Sequence, residues 1–137
     1  MKLLCFSDIH FGKKNNSLQH NQYCEQVIFD IINHCTNNHI DKILFLGDWF
    51  DNRNTINVST LQIAKTCLDY LKQLNIPIIM IVGNHDSYLR NDRTINSLTI
   101  FQDNKVQIID EVCNIDNLYF VPYLMNEDDY TQFNSIP

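Results

Sequence analysis

Glycine and proline are scarce, at three residues each in a chain of 137. Disordered and low-complexity chains are usually rich in one or both, so neither class fits. There is no internal linker, repeat or biased tract. No apolar run approaches the roughly 20 residues that a membrane helix needs. The opening MKLLCFSDIHFG turns polar at Ser7 and Asp8, so it does not read as a secretory signal. These absences point to a soluble intracellular protein with no membrane association. There is also no Cys-x-x-Cys pair. The five cysteines (Cys5, Cys24, Cys35, Cys67, Cys113) are scattered and odd in number, which argues against a disulfide framework or a zinc finger. They read as small buried hydrophobes in a reducing compartment. Basic charge is short as well. Ten Lys and Arg face sixteen Asp and Glu, for a net charge of −6. That balance is awkward for a protein holding DNA by phosphate contacts alone. Acidic metal ligands would contribute to it, and bound cations would offset it.

What is present is 45% hydrophobic residues, enough for a core in one domain or part of one. The pattern is strand, loop, helix, repeated. Lys2 to Ser7 reads as a buried strand. Leu18 to Thr36 carries Tyr23, Val27, Ile31 and Cys35 every fourth residue, which predicts a helix with that face inward. Lys42 to Leu46 is a second buried strand. Asn57 or Ser59 would cap a helix with Leu61, Ala64, Leu68 and Leu71 on one face. Ile78 to Val82, introduced by Pro77, is a third strand. Thr94 to Phe101 reads as a short helix, and Val106 to Ile109 and Leu118 to Val121 as further strands. Near-continuous apolar strands alternating with helices predict an α/β sheet covered on both faces, its first three strands parallel. Such sheets bind ligands beyond the carboxyl ends of their strands.

Chemistry-bearing residues stand at those ends. After the first strand comes Asp8-Ile9-His10. After the second comes Gly47-Asp48-Trp49-Phe50-Asp51. After the third comes Gly83-Asn84-His85-Asp86. Each segment alone is an ordinary turn composition. Together, at equivalent ends of neighbouring strands, they predict one site. Carboxylate, imidazole and carboxamide suit divalent ions of intermediate hardness, Mn²⁺, Fe²⁺ or Zn²⁺. A carboxylate on the central strand can bridge two such ions about 3.5–4 Å apart. The glycines before Asp48 and Asn84 allow sharp turns at the sheet edge.

DIH, GDWFD and GNHD resemble the first three motifs of the calcineurin-like metallophosphoesterases. Within that superfamily, SDIHFGK, LGDWFDNR and VGNHD are similar to the Mre11/SbcD nucleases and to phage recombination nuclease subunits, as is the later FVPYLMNED. The resemblance implies the N-terminal part of a metallophosphoesterase β-sandwich flanked by helices, with parallel strands carrying metal ligands at their C-terminal ends. It implies two divalent metal ions, Mn²⁺ first. Asp8 and His10 would bind one ion, Asp48 would bridge both, and Asn84 would bind the second. His85 would be the general acid, and Asp51 would orient it. Asp86 would only shape the loop. The implied reaction is metal-assisted hydrolysis of a phosphodiester, in a DNA exo- or endonuclease of repair or recombination with a Rad50/SbcC-like ATPase partner.

The chain departs from the family pattern after His85, where no further histidine occurs. The family places its remaining metal-binding histidines downstream. The expectation is therefore a single domain over 1–137 that is incomplete: a truncation, a half completed by a second chain or a second copy, or a remnant. His20, His34 and His39 read as surface or boundary residues. An exposed apolar face, and with it homodimerisation, is expected of a half-domain. For substrate, five of the ten basic residues follow the motifs closely: Lys13, Lys14, Arg53, Arg90 and Arg93. They predict a basic rim that would bind DNA phosphates. Phe11, Trp49, Phe50 and Tyr88 could stack on bases or, more commonly, pack in the core. A small-molecule phosphodiesterase or phosphatase and a non-catalytic fragment remain as alternatives.

Overall fold

Apolar strands four residues long dictate the centre of the molecule, because side chains alternating across a strand bury on both faces of a sheet. The computed structural model describes residues 1–137. Its elements are β1 (Leu3–Phe6), α1 (Lys13–Asn16), α2 (Leu18–Asn37), β2 (Lys42–Phe45), α3 (Val58–Lys72) and β3 (Ile78–Ile81). A 3-10 turn (Thr99–Phe101), β4 (Val106–Ile109), β5 (Cys113–Ile115), β6 (Leu118–Phe120) and α4 (Glu127–Asn134) follow. No helix is long and apolar enough to cross a membrane. The four strands β1-β2-β3-β4 form one sheet in that order, and every pairing is parallel. Cys5 pairs with Leu44, Leu44 with Ile79, and Ile81 with Ile109.

Helices α2 and α3 pack together on one face. Cys24, Ile28, Ala64, Cys67, Leu68 and Leu71 meet Ile43, Phe45, Ile78, Met80 and Val106 there. Successive right-handed crossovers that step the same way along a sheet leave their helices on the same side. The other face carries Leu44, Ile79, Ile81 and Ile109, covered by Phe120 of the antiparallel β5–β6 hairpin. Asp116 and Asn117, at φ 53° and 64°, make the tight turn of that hairpin. Lys42 pairs with Asp116 at 3.0 Å and ties the hairpin to the sheet. Towards β1 this cover stops. Cys5 is exposed, and so is Leu46 just beyond β2.

The expected strands form within a residue or two of their boundaries, and Asn57 caps α3 by accepting from the Thr60 N–H at 2.9 Å. Two expectations need correction, and three elements are not anticipated by the sequence pattern. The inward face of α2 is Asn21, Cys24, Ile28 and Cys35, whereas Tyr23 and Val27 face solvent. At 3.6 residues per turn a strict four-residue repeat drifts about 40° per step, so it leaves the buried stripe within two turns. Only Thr99–Phe101 of the Thr94–Phe101 segment is helical, as a 3-10 turn. Tyr88 N–H donates to the Ile95 carbonyl and Ser97 N–H to the Asp86 carbonyl, bonds that a helix there would forbid. β5 and α4 lie outside the elements expected from the pattern. Finally, α1 is a helix in name only, since Lys14 and Asn15 adopt left-handed backbone angles.

Candidate metal centre

Backbone pairing between β1 and β2 continues past the strands and carries two motifs side by side. Asp8 N–H donates to the Gly47 carbonyl (3.0 Å), His10 N–H to the Asp48 carbonyl (3.0 Å), and Phe11 N–H to the Trp49 carbonyl (2.8 Å). Asp8, His10 and Asp48 all have positive φ, at 57°, 55° and 64°. Each such residue costs on the order of 1–3 kcal/mol and persists only where its surroundings impose it. Three of the four residues expected to bind metal, all but Asn84, are thus held in this strained backbone region.

What imposes it can be named. Asp86 is almost wholly buried and its carboxylate accepts from four backbone N–H groups. One oxygen takes Asp48 (2.8 Å) and Gly83 (3.0 Å), and the other takes Trp49 (2.9 Å) and Phe50 (3.1 Å). Burial pushes this carboxyl up to about 6, against the opposing pull of those donors. Asp48 answers by accepting the His85 N–H at 2.9 Å. Gly83 permits this closeness, because a Cβ there would lie 2.2 Å from an Asp48 carboxylate oxygen. The first motif is gripped by α2. His20 Nε2 lies 2.9 Å from the His10 carbonyl, the Cys24 thiol donates to the Ile9 carbonyl, and Asn21 Oδ1 accepts the Gly12 N–H at 2.8 Å. Asn21 also reaches Thr60 of α3. Sequence reasoning missed His20 and Asn21. The available signal was a polar residue three positions before Cys24 on the buried stripe of an amphipathic helix.

The ligand-type atoms converge. His10 Nε2 is 3.3 Å from Asp8 Oδ1 and 3.8 Å from Asp48 Oδ2, and His10 Nδ1 is 3.2 Å from Asp51 Oδ1. The His10 and His85 rings meet edge to face with centroids 4.9 Å apart. Two triads, Asp8–His10–Asp48 and His10–Asp51–His85, each bring their ligand atoms within 4.8 Å of one another. Asn84 is half-buried between Gly83 and His85. His85 Nδ1 lies 2.6 Å from the backbone carbonyl of Asp51, so the main chain orients that ring while the Asp51 carboxylate faces His10. A hydroxyl bond from Ser7, helped by His10, lowers the Asp8 carboxyl below its usual value. None of Asp8, Asp48 and Asp51 is paired with a lysine or arginine. His10 Nδ1 is buried, and its 3.2 Å approach to Asp51 Oδ1 does not have hydrogen-bond geometry. Clustered carboxylates with no fixed cation, beside an imidazole nitrogen that lacks a well-aligned hydrogen bond, fit a divalent ion.

The basic rim is thinner than expected. Lys13, Lys14 and Arg90 are exposed, and Arg53 is half-buried with Nη1 lacking any partner. Arg93 does not reach the rim. It is buried, forks onto both Asp129 carboxylate oxygens at 2.6 Å, and donates to the Asp110 and Tyr123 carbonyls. Of the four aromatics, Phe11, Trp49 and Phe50 are core residues and only Tyr88 is exposed.

The sequence profile of the calcineurin-like phosphoesterases matches residues 1–135. The DNA double-strand break repair protein Mre11 of Sulfolobus acidocaldarius is 32% identical over 118 residues, covering 83% of this chain and 30% of that protein. The SbcD component of the SbcCD nuclease of Staphylococcus epidermidis is 29% identical over 118 residues, 85% of this chain and 30% of its own. The chain therefore spans about 30% of the length of these relatives. The crystal structure of Pseudomonas putida nuclease MPE superimposes with a TM-score of 0.56 at 19% identity, over 83% of this chain and 50% of that one, a likeness of fold. With its three motifs gathered at one edge of a parallel sheet, the chain belongs to the calcineurin-like phosphoesterase family.

Proposed function

We propose that this chain carries the ligand-bearing N-terminal part of a two-metal phosphodiesterase whose substrate is DNA. The observation that supports it most is the convergence of Asp8, His10, Asp48, Asp51 and His85 with no lysine or arginine to neutralise the carboxylates. Asp8 and His10 would hold one cation, Asp48 would be shared, and Asn84 would help hold the second. Mn²⁺ suits this mixed set best, with Fe²⁺ or Zn²⁺ next. The ions supply Lewis acidity and a water of lowered pKa. His85 moves the proton. A carbonyl oxygen can only accept, so the 2.6 Å contact with Asp51 leaves the hydrogen on Nδ1 and frees Nε2 for exchange with the leaving oxygen. Further ligands come from a later segment, a second chain or a second copy. The relatives, a double-strand break repair protein and a component of the SbcCD nuclease, suggest DNA ends as substrate and a Rad50/SbcC-like ATPase as partner.

The deciding experiment is Mn²⁺ titration by electron paramagnetic resonance on the parent and Asp48→Ala. The parent should bind Mn²⁺, and the variant should lose the shared ligand and bind at least about tenfold more weakly. Equal binding by the two proteins would refute the assignment. The thin basic rim favours a second reading, a phosphodiesterase of small nucleotides. Competition between a cyclic nucleotide and DNA for the Mn²⁺-loaded protein separates the two.

A further inference from the structure

Beside the metal centre lies a cleft of about 260 Å³ whose walls are Arg53 to Ile56 on one side and Tyr88, Ile95 and Asn96 on the other. Both walls are preformed. Asn52 Oδ1 accepts the N–H groups of Asn54 (2.8 Å) and Thr55 (3.1 Å), which shapes the first. The Ser87–Asn96 bridge and the Tyr88 N–H to Ile95 carbonyl bond shape the second. The contact between His85 Nδ1 and the Asp51 carbonyl joins the two loops at their roots. Arg53 stands two residues beyond Asp51, so its backbone is within about 7 Å of that residue.

Arg53 is unusual here. Its Nη1 is buried and has no acceptor. The chain holds sixteen acidic residues, yet none pairs with it. Arg93 shows the contrast, with its fork filled by Asp129. A guanidinium half withdrawn from water and left unpaired is stabilised by an anion, and its planar fork matches two oxygens of a phosphate. Across the cleft Tyr88 is 51% exposed, the one aromatic near the site whose ring is free to meet a base.

We infer that this cleft is a nucleotide subsite. Arg53 takes a phosphate next to the one being cut, and Tyr88 stacks on the neighbouring base. The inference rests on the reading of the site as a phosphodiesterase and names the part of the substrate that the protein grips away from the metals. It also accounts for how an acidic chain holds a polyanion: through one preformed contact rather than a basic field.

The test is fluorescence anisotropy with a short single-stranded oligodeoxynucleotide, without metal and at several salt concentrations. Arg53→Gln should weaken binding about tenfold and reduce the salt slope by about 0.7, the loss of one phosphate contact. Tyr88→Ala should weaken binding about tenfold and leave the slope unchanged. Parent-like affinity and slope in Arg53→Gln would overturn the inference, as would no binding by the parent. Should Arg53→Gln fail to fold, the Arg53 side-chain N–H resonance of the parent decides. It should shift when the oligonucleotide is added, and a stationary resonance overturns the subsite. The Mn²⁺ titration reads the metal centre separately, so failure of one proposal is not failure of the other.

Discussion

Replacing Asp86 by asparagine changes almost no volume and leaves no cavity, which isolates the hydrogen bonds. The carboxylate has two oxygens, each accepting two backbone N–H groups at 2.8–3.1 Å. An amide has one acceptor oxygen. Whichever way it is turned, two buried N–H groups then face an NH₂ and lose their partner. Each orphaned buried donor costs about 1–3 kcal/mol, so the pair costs roughly 2–6 kcal/mol. A domain of this size has on the order of 5–15 kcal/mol in total. Urea unfolding should therefore show a large fall in midpoint at unchanged slope. The four bonds need the ionised carboxylate, and burial raises its titration to about 6, so the parent's advantage over the asparagine variant is smallest well above pH 6 and a loss measured there is the stringent one. Its raised value also means that its contribution is greatest at low pH and declines as pH rises through about 6. Since three of those four N–H groups belong to the loop bearing Asp48, Mn²⁺ affinity should fall with stability. A variant within about 0.5 kcal/mol of the parent, with unchanged Mn²⁺ binding, would refute the account of what holds the loop.

Two further outcomes test the neighbouring contacts. Gly83→Ala puts a Cβ 2.2 Å from Asp48 Oδ1 and 2.4 Å from Asp48 N, so the loop must move. A loss of about 3 kcal/mol or more is expected on thermal or urea unfolding, and a loss below about 1 kcal/mol would show that the turn can yield. Arg93 lowers the Asp129 carboxyl below its usual value. The pair's stability is therefore present above the ordinary carboxylate range and disappears as pH falls through the lowered value. Asp129→Asn should cost about 3–5 kcal/mol near neutrality and progressively less in acid, where the unfolding curves of the two proteins converge. A difference independent of pH would mean that the ion pair is not what anchors α4.

The proposed metal-binding residues connect these observations. Asp8, His10 and Asp48 are held at positive φ by contacts that are not themselves ligands: the Asp86 carboxylate, the closeness allowed by Gly83, and the His20, Asn21 and Cys24 side chains of α2. Preorganisation by such supporting groups is the usual way a protein fixes ligand geometry before the ion arrives. Arg93 belongs to a different task. Its place after the third motif predicts the substrate rim, yet it binds the first turn of α4 to the loop before it.

The parallel α/β core is legible in the residues alone, because short apolar runs such as Ile43–Phe45 and Ile78–Val82, bounded by turn residues and alternating with helical patterns, read as strands buried on both sides. So is the gathering of Asp8, His10, Asp48, Asp51 and His85 at one edge, since ligand-bearing turns after parallel neighbours meet there. Local pattern carries that much because strand period and turn chemistry are local physics. Everything else waits on long-range packing. Whether Arg53 and Arg93 face solvent, an anion or Asp129 depends on a partner up to 36 residues away. The inward face of α2 depends on which stripe the sheet receives, and so Tyr23 is outside while Asn21 is inside. That His85 is oriented by the carbonyl of Asp51 rather than by its carboxylate depends on where two loops cross. A backbone group is present at every position, so no residue letter announces which carbonyl will be used.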